Sequence, residues 1–209
     1  DAEAGGDASQ VATQLESCVV TSIAATHYAF AAVCEDGQVV PWGDPVSGGD
    51  FAQMNTKLGG ATATKVVGNN QAFAAITDGG FAVAWGMADY GGDASDVNDA
   101  LTSMVPINDI VPAEYAFAAV GHNGKVTAWG DPLSGGDSTG VAELLASDVK
   151  DVVASEAAFA ALKVDGSVIT WGDHNAGGDA ALVANVLGQN DVQKIVAAGS
   201  AFTALRTFS

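Results

Sequence analysis

Aspartates recur in pairs within glycine-rich segments, and carboxylates in such segments are suited to binding a divalent cation. Each segment follows a Trp-Gly pair and ends in Gly-Gly-Asp. The pairs are Asp44 and Asp50, Asp131 and Asp137, and Asp173 and Asp179. Because Ca²⁺ prefers several oxygen ligands in a flexible loop, these six residues are weak candidates for Ca²⁺ sites. The alternative, which we expect, is that the first aspartate forms a turn and the second caps a helix.

The other residue types that carry chemistry indicate no catalytic site. The serines are scattered, and we expect no nucleophile among them. His27, His122 and His174 fall at different places in the repeat described below, and no His-x-His or Cys-x-x-Cys spacing indicates zinc. Gly-Gly-Asp places a carboxylate where a phosphate would bind. We therefore expect no catalytic residue, no metal, no cofactor and no enzymatic activity.

The two cysteines, Cys18 and Cys34, are predicted to form a disulfide. Cys18 begins one predicted strand and Cys34 ends the next, with the turn centred near Thr26. In that antiparallel pair the two residues would face each other directly, with Cβ atoms about 4.5–5.5 Å apart. Such a bond implies an oxidising compartment, either secreted or the lumen of an organelle such as the thylakoid. The alternative is two buried free thiols.

A repeat of about 43 residues dominates the sequence. A phenylalanine within Ala-Phe-(Ala/Thr)-Ala marks each copy, and a Trp-Gly pair lies twelve residues after each of the first four. The marker residues are Phe30 and Trp42, Phe73 and Trp85, Phe117 and Trp129, Phe159 and Trp171, and Phe202. The units span approximately 5–47, 48–90, 91–134, 135–176 and 177–209, and the last is incomplete. We expect these aromatic residues to be structural and to supply most of the buried apolar area.

Each unit is predicted to contain three short strands and a short helix. Asp165-Gly166 separates two apolar runs, which is typical of a hairpin with a type I′ turn. Equivalent pairs occur in the first three units at Asp36-Gly37, Gly79-Gly80 and Asn123-Gly124. The aspartate of each Gly-Gly-Asp precedes apolar residues at helical spacing and suits a helix N-cap. The expected fold is an all-β repeat protein with short helices, arranged as a β-propeller-like ring or an open arc.

The segment Ala158 to Gly172 resembles the repeat of the regulator of chromosome condensation family. It carries Ala-Phe-Ala-Ala-Leu, Asp-Gly-Ser-Val and Thr-Trp-Gly in the family's order. The resemblance covers nearly the whole chain and is closest to an alanine-rich form of this repeat found in marine algae. It implies a β-propeller that serves as a platform for protein–protein interaction. The units are shorter than the family's, and five partial copies replace seven, so a ring, an arc and an irregular stack all remain open.

The charge balance excludes some classes of partner. The chain has 7 Lys and Arg against 25 Asp and Glu, a formal net charge of −18, which argues against nucleic acid and favours a basic protein partner. No apolar run reaches the roughly 20 residues of a membrane-spanning helix. The leading hypothesis is a non-enzymatic scaffold subunit in a larger assembly. A more specific form places it on the lumenal face of an algal membrane complex such as a photosystem.

A second hypothesis is a ligand-binding module. On this hypothesis the repeated Trp-Gly-Asp loops bind carbohydrate or Ca²⁺. The two hypotheses differ in where the tryptophans lie, since exposed rings favour ligand binding and buried rings favour a scaffold.

The fifth unit lacks its third strand. We therefore predict that the edge of its second strand is either paired with a partner chain or covered by the chain's own N-terminal segment. The alternative is a longer parent chain. The residues of this edge are Ala201, Phe202, Thr203, Ala204 and Leu205.

Overall fold

The computed structural model describes residues 5–180 and 191–206. Its strands form five small antiparallel sheets, one to each predicted unit, with three strands in the first four and two in the fifth. The sheets comprise β1 (Val20–Ala25), β2 (Ala29–Cys34) and β3 (Val39–Gly43); β4 (Ala63–Gly68), β5 (Ala72–Thr77) and β6 (Ala82–Gly86); β7 (Ile107–Pro112), β8 (Ala116–Gly121) and β9 (Val126–Gly130); β10 (Val149–Ala154), β11 (Ala158–Lys163) and β12 (Val168–Gly172); and β13 (Val192–Ala198) and β14 (Ala201–Arg206). The expected all-β repeat is confirmed.

Short helices precede the first three sheets. They are α1 (Ala12–Glu16), α2 (Phe51–Leu58) and α3 (Asn98–Thr102). The fourth unit has a 3-10 turn at Thr139–Val141 instead. The helix predicted for the fifth unit falls on residues 181–190, outside the described residues. Of the helices described, none is long and apolar enough to cross a membrane.

The hairpin turns differ from the predicted type I′. Gly37 N–H donates to Cys34 O, and Cys34 N–H donates to Gln38 O, both at 2.9 Å, so the loop has three residues. A type I′ turn needs a positive φ at both of its central residues, which here would be Asp36 and Gly37. Asp36 does not have a positive φ; among the described non-glycine residues, Asp148 is the one that does. A type I turn followed by a left-handed glycine fits instead, with Gly37 at φ +79°. The same hydrogen bond recurs from Gly80 to Thr77, Gly124 to Gly121, and Gly166 to Lys163.

The second strands are rich in alanine because both of their faces are buried. Ala116 and Ala118 of β8 pack in the core shared by the third and fourth units. Phe117 and Ala119, on the opposite face, pack in the core shared by the second and third units. Successive side chains of a strand point to opposite faces, so small residues on both allow neighbouring sheets to approach closely. The tight packing expected from the alanine pattern thus occurs between successive units.

Backbone hydrogen bonds also join successive units. The turn between the first two strands of one unit donates an N–H to the carbonyl of the next unit's turn. These bonds run from His27 to Asn70, Asn70 to Glu114, Glu114 to Glu156, and Glu156 to Gly199, at 2.9, 3.1, 2.9 and 2.8 Å. A second set joins the hairpin glycines to the following unit, as where Ala63 N–H donates to Gly37 O at 2.8 Å.

The two terminal units expose faces that internal units cover. Ile23 of β1 is 60% exposed, whereas its equivalents Val66, Ile110, Val152 and Ile195 are buried. At the other end, Leu205 of β14 is 62% exposed, whereas its equivalent Leu162 is 2% exposed. Each exposed residue lies on a face that an additional unit would cover.

The Cys18–Cys34 disulfide is present, with 5.5 Å between the Cα atoms. The predicted register is wrong, because Val20 lies opposite Cys34 and a bulge separates Val20 from Ser22. Cys18 precedes β1 and follows α1, and it packs with Val11 and Leu15 against the first sheet. The bond therefore fastens the N-terminal helix to β2.

Reduction of this disulfide is expected to lower the free energy of unfolding by about 3 kcal/mol, because it closes a loop of about 15 residues. Urea unfolding with and without reductant measures the difference. A variant carrying both Cys18→Ser and Cys34→Ser is the control and should not respond to reductant. Two alkylatable thiols in the protein before reduction would contradict the bond.

Gly80→Ala is expected to destabilise the fold more than Gly60→Ala does. Both glycines have positive φ, at +78° and +89°, which costs an alanine about 1–2 kcal/mol. At Gly80 a Cβ would also lie 2.7 Å from Pro106 Cβ, whereas at Gly60 nothing lies within 4 Å. We expect losses of about 2–5 kcal/mol at Gly80 and about 1–2 kcal/mol at Gly60 in urea unfolding. Equal losses would show that the contact with Pro106 has no cost.

Candidate functional site

The repeated phenylalanine and tryptophan of each complete unit stack on each other. They are cross-strand neighbours on the second and third strands, as with Phe73 and Trp85. The four pairs have ring centroids 5.4, 5.3, 5.4 and 5.2 Å apart and interplanar angles of 19°, 23°, 27° and 17°. Such offset stacks contribute roughly 0.5–1.5 kcal/mol beyond the area that they bury.

The tryptophan indole also binds the glycine loop that precedes its sheet. Trp85 Nε1–H donates to Gly48 O at 3.1 Å. Trp129 makes the same bond to Gly91 O at 2.9 Å, and Trp171 to Gly135 O at 3.0 Å. The loop backbone lies against the phenylalanine as well, since a Cβ at Gly48 would lie 2.6 Å from the Phe73 ring. One aromatic pair thus holds its own hairpin and the connection from the unit before.

The tryptophans are largely interior. Trp85, Trp129 and Trp171 are 0%, 3% and 5% exposed, and Trp42 is half-buried. Phe73, Phe117 and Phe159 are fully buried, whereas Phe30 and Phe202, in the terminal units, are partly exposed. Because three of the four indoles are buried, the repeated tryptophans do not present exposed rings on which a sugar could stack.

The first aspartate of each loop forms a turn, as expected. Asp44 accepts hydrogen bonds from Ser47 N–H at 2.9 Å and Ser47 Oγ–H at 2.6 Å. Asp131 accepts from Leu133 N–H and Ser134 Oγ–H in the same way. Asp173 accepts from Asn175 N–H at 2.8 Å. These carboxylates are occupied by their own loops.

The second aspartate caps a helix in one unit. Asp50 accepts from Ala52 N–H at 2.7 Å and Gln53 N–H at 3.3 Å at the start of α2. Asp7, Asp93 and Asp137 do not cap α-helices, and here the prediction is wrong. Each accepts from the N–H two residues later, at 2.9, 3.0 and 2.8 Å, and a 3-10 turn follows. Hydrogen bonds from Thr139 hold the pKa of the Asp137 carboxyl below its usual value.

The acidic side chains that the structure describes are not gathered into a metal site. Across residues 5–180 and 191–206, no three His, Cys, Asp or Glu side chains come together in a way that could hold a metal ion. Asp179 lies exposed at the end of the fifth loop. The histidines are also exposed, with His27 and His122 in turns and His174 in a 3-10 turn.

The segment Gly136 to Gly140 has the sequence Gly-Asp-Ser-Thr-Gly and matches the G-x-S-x-G pattern of a nucleophile elbow. That motif needs its serine on a sharp turn between a strand and a helix. Ser138 instead lies eight residues after β9 ends and immediately before a 3-10 turn. Its Oγ accepts a hydrogen bond from Ala128 N–H at 3.3 Å, so the side chain supports the loop.

A polar residue four positions before the repeated phenylalanine holds the loop that leaves its unit, and this bond was not predicted. Asn69 Nδ2–H donates to Tyr90 O at 2.7 Å, and Ser155 Oγ–H donates to Ala176 O at 2.8 Å. Thr26 makes the corresponding bond to Ser47 O at 3.3 Å. The signal in the sequence is a polar residue at this place in three of the five units.

The fifth unit retains half of this arrangement. A Cβ at Gly177 would lie 2.6 Å from the Phe202 ring, as at the equivalent glycines. Within the described residues β14 pairs with β13 alone. A cavity of about 440 Å³ lies beside it, lined by Val168, Thr170, Gly177, Ile195, Phe202 and Ala204.

From Gly5 onward, the N-terminal segment lies on the first unit. A Cβ at Gly5 would lie 3.0 Å from Tyr28 O and 3.1 Å from the Phe30 ring. The expected alternative in which the N-terminal segment covers β14 is therefore wrong for these residues. Gly5 instead occupies the place on Phe30 that the later loop glycines occupy on their own phenylalanines.

Trp85→Phe is expected to lower the free energy of unfolding by about 2–4 kcal/mol. The phenyl ring keeps the stack but leaves the buried Gly48 carbonyl without its donor and removes buried volume. Trp42→Phe, at a half-buried position, is the matched control and should cost about 1 kcal/mol. Urea unfolding of both variants gives the comparison. Equal costs would show that the bond between the indole and the loop contributes nothing.

No protein-family model and no curated protein matches this sequence. Solved structures share its fold. Prp20p from Saccharomyces cerevisiae matches 90% of this chain and 50% of its own, with 17% identity and a TM-score of 0.54. The CRINKLY WD40 ectodomain of the Arabidopsis thaliana receptor kinase ACR4 matches 73% of this chain and 50% of its own, with 15% identity and a TM-score of 0.51. The chain thus spans about half the length of these proteins, and the similarity shows an RCC1-like β-propeller fold.

Proposed function

We propose that this protein is a non-enzymatic scaffold for protein–protein interaction. One observation carries the proposal: the recurrent aromatic and acidic side chains act within the fold, while apolar side chains are exposed on the terminal units. Ile23 on the first unit and Leu205 on the fifth are each about 60% exposed. Exposed apolar residues on faces built to stack against another unit favour a protein partner.

The structural neighbours and the charge support this role. Yeast RCC1 (Prp20) was solved bound to Kap60, and Prp20p from Saccharomyces cerevisiae has binding properties to Gsp1p and histones. The formal net charge of −18 on the present chain favours a partner with a basic surface.

The more specific proposal is an accessory subunit on the lumenal face of a large algal membrane complex, such as a photosystem. The Cys18–Cys34 disulfide supports an oxidising compartment, which a lumen provides. The alanine-rich repeat resembles an algal form of the family's repeat, which supports an algal source for the protein.

The ligand-binding alternative has less support. Carbohydrate sites usually present exposed aromatic rings, whereas Trp85, Trp129 and Trp171 are buried. A Ca²⁺ site would need carboxylates that the loops already use for their own turns. Calorimetric titration with Ca²⁺ is therefore expected to give no heat, and a saturable signal would revive this alternative.

Co-migration in the native source tests the scaffold role. In gentle extracts at low salt, the protein is expected to migrate with a larger assembly, and recombinant chain should rejoin that assembly after the native protein is removed. Ile23→Asp should weaken rejoining, whereas Leu133→Asp, at an exposed loop position, should not. Recovery as a free monomer at every salt concentration would overturn the proposal.

A further inference from the structure

We propose that a groove beside the third sheet binds an extended segment of a partner protein that carries arginine or lysine side chains. The groove has a volume of about 1360 Å³ and is lined by β9 and by parts of segments 88–100 and 131–142. We call it the β9 groove. The inference rests on the scaffold role proposed above and deepens it, because it assigns a docking surface and the chemistry of the partner.

An apolar lining with acidic side chains around it characterises the β9 groove. Its apolar lining comes from Val97, Pro132, two tyrosines and several alanines. The acidic lining residues are Asp89, Asp93, Asp96, Asp99, Asp131 and Asp137. Lys125 is the one cation among the described lining residues, and its Nζ–H donates to Ser103 Oγ at 2.8 Å. A cleft lined by charges of one sign attracts a segment of the opposite sign.

Three of these six carboxylates have no partner within the described part of the chain. Asp89, Asp96 and Asp99 are exposed, and their carboxylates accept no hydrogen bond from another described residue. The other three accept hydrogen bonds within their own loops. Charged donors of a partner can therefore pair with the first three without breaking a bond of the fold.

The loop that enters the third sheet departs from the repeat where it lines the groove. In the first loop Asp44 accepts a hydrogen bond from Ser47 Oγ–H at 2.6 Å, and Met87 and Tyr90 stand at these two positions in the second. The turn forms without that bond, since Gly92 N–H still donates to Met87 O at 2.9 Å. Ser47 is buried, whereas Tyr90 is partly exposed in the groove. The departure thus gives the groove a ring.

This ring is one of a fixed pair. Tyr90 and Tyr115 pack edge to face, with ring centroids 5.0 Å apart and an interplanar angle of 71°, and both line the groove. Tyr115 O–H donates to Glu114 Oε1 at 2.8 Å, which holds the second ring in place. A guanidinium or ammonium group is attracted to the face of such a ring within about 6 Å. Tyrosine faces beside free carboxylates therefore suit arginine and lysine side chains.

The groove also offers a backbone donor. The residue after Gly130 donates its N–H to Tyr115 O at 2.9 Å, and donors alternate along a strand, so Gly130 N–H points away from β8. In the second sheet the equivalent Gly86 N–H donates to Gln53 Oε1 at 3.0 Å. Asp96 stands at the position of Gln53 here, and Gly130 N–H has no acceptor among the described residues. A carbonyl of an extended segment can accept this bond.

Size and the placement of charge favour a polypeptide over an ion or a small molecule. The groove exceeds the roughly 300–1,000 Å³ of small-molecule pockets. Its carboxylates come from separate segments, and across residues 5–180 and 191–206 no three His, Cys, Asp or Glu side chains are gathered as a metal site. Successive basic side chains of one extended chain can meet carboxylates placed in this way.

Binding of a synthetic peptide tests the site. The probe is a fluorescein-labelled peptide of nine residues with arginine and serine at alternate positions, because alternate side chains of an extended strand point to one face. The control peptide has glutamine in place of arginine. Fluorescence anisotropy at low salt is expected to show saturable binding of the probe and about tenfold weaker binding, or less, of the control. The affinity should fall as salt is added.

Matched double variants separate the groove from the overall charge of the chain. Asp96→Asn with Asp99→Asn removes two carboxylates from the groove, whereas Glu35→Gln with Asp151→Asn removes two exposed carboxylates elsewhere. The net charge changes equally in both. Binding should weaken by about tenfold in the first and by less than about twofold in the second. Equal weakening would show that the peptide responds to net charge alone and would overturn the inference.

Tyr115→Leu tests the aromatic pair, and its control is Tyr28→Leu at the same repeat position in the first unit, where the ring is exposed. Binding should weaken by about threefold or more in the first and stay unchanged in the second. Hydrogen exchange should show protection of the Gly130 amide when the probe binds. If Tyr115→Leu does not fold by circular dichroism, the double variants and the exchange protection still decide the test.

Several further outcomes would overturn the inference. They are no binding, equal binding of both peptides, and protection outside the groove. Spermine that displaces the probe at equal concentration would assign the groove to free polyamines instead. Peptide binding in the groove by a protein that is a free monomer in its source would refute the scaffold role alone. Co-migration with a larger assembly, without peptide binding, would refute this site alone.

Discussion

The close approach of a glycine backbone to a phenylalanine ring is the constraint on which the rest of the repeat depends. At Gly48, Gly91, Gly135 and Gly177 a Cβ would lie 2.6–2.8 Å from the phenylalanine ring of the sheet that follows, so no side chain fits there. This approach places the loop carbonyl within reach of the tryptophan that stacks on the same ring. The fixed phase of Phe, Trp-Gly and Gly-Gly along the chain follows from this one junction.

The same junction uses most of the repeated aromatic and acidic side chains for structure. Each described aromatic pair and each first aspartate contributes to holding a unit or its connection, so these side chains are already engaged within the fold. Differences between units then become informative. The first unit exposes Ile23, and the fifth exposes Phe202 and Leu205, at positions that neighbouring units or strands cover elsewhere.

Features that repeat as side-chain types could be predicted from the sequence, and features formed by the backbone could not. The strands around Phe159 and Trp171 could be predicted because their pattern recurs along the chain. The pairing of Cys18 with Cys34 could be predicted because the chain has two cysteines. The register beside Cys34 did not, because every first strand carries a bulge with no sequence signature. The turn type was missed because a glycine suits both alternatives. The bonds joining His27, Asn70 and Glu114 use main-chain atoms of unlike residues, which leaves no pattern in the sequence.

The disulfide makes the two ends of this array unequal. In a linear series of units that contact their neighbours, stability is close to a sum of unit and junction contributions, and end units have one junction each. The first unit has a covalent clamp between the end of its helix and β2, and the other described units contain no cysteine. Local opening should therefore cost more in the first unit than in the described units that packing and hydrogen bonds alone hold.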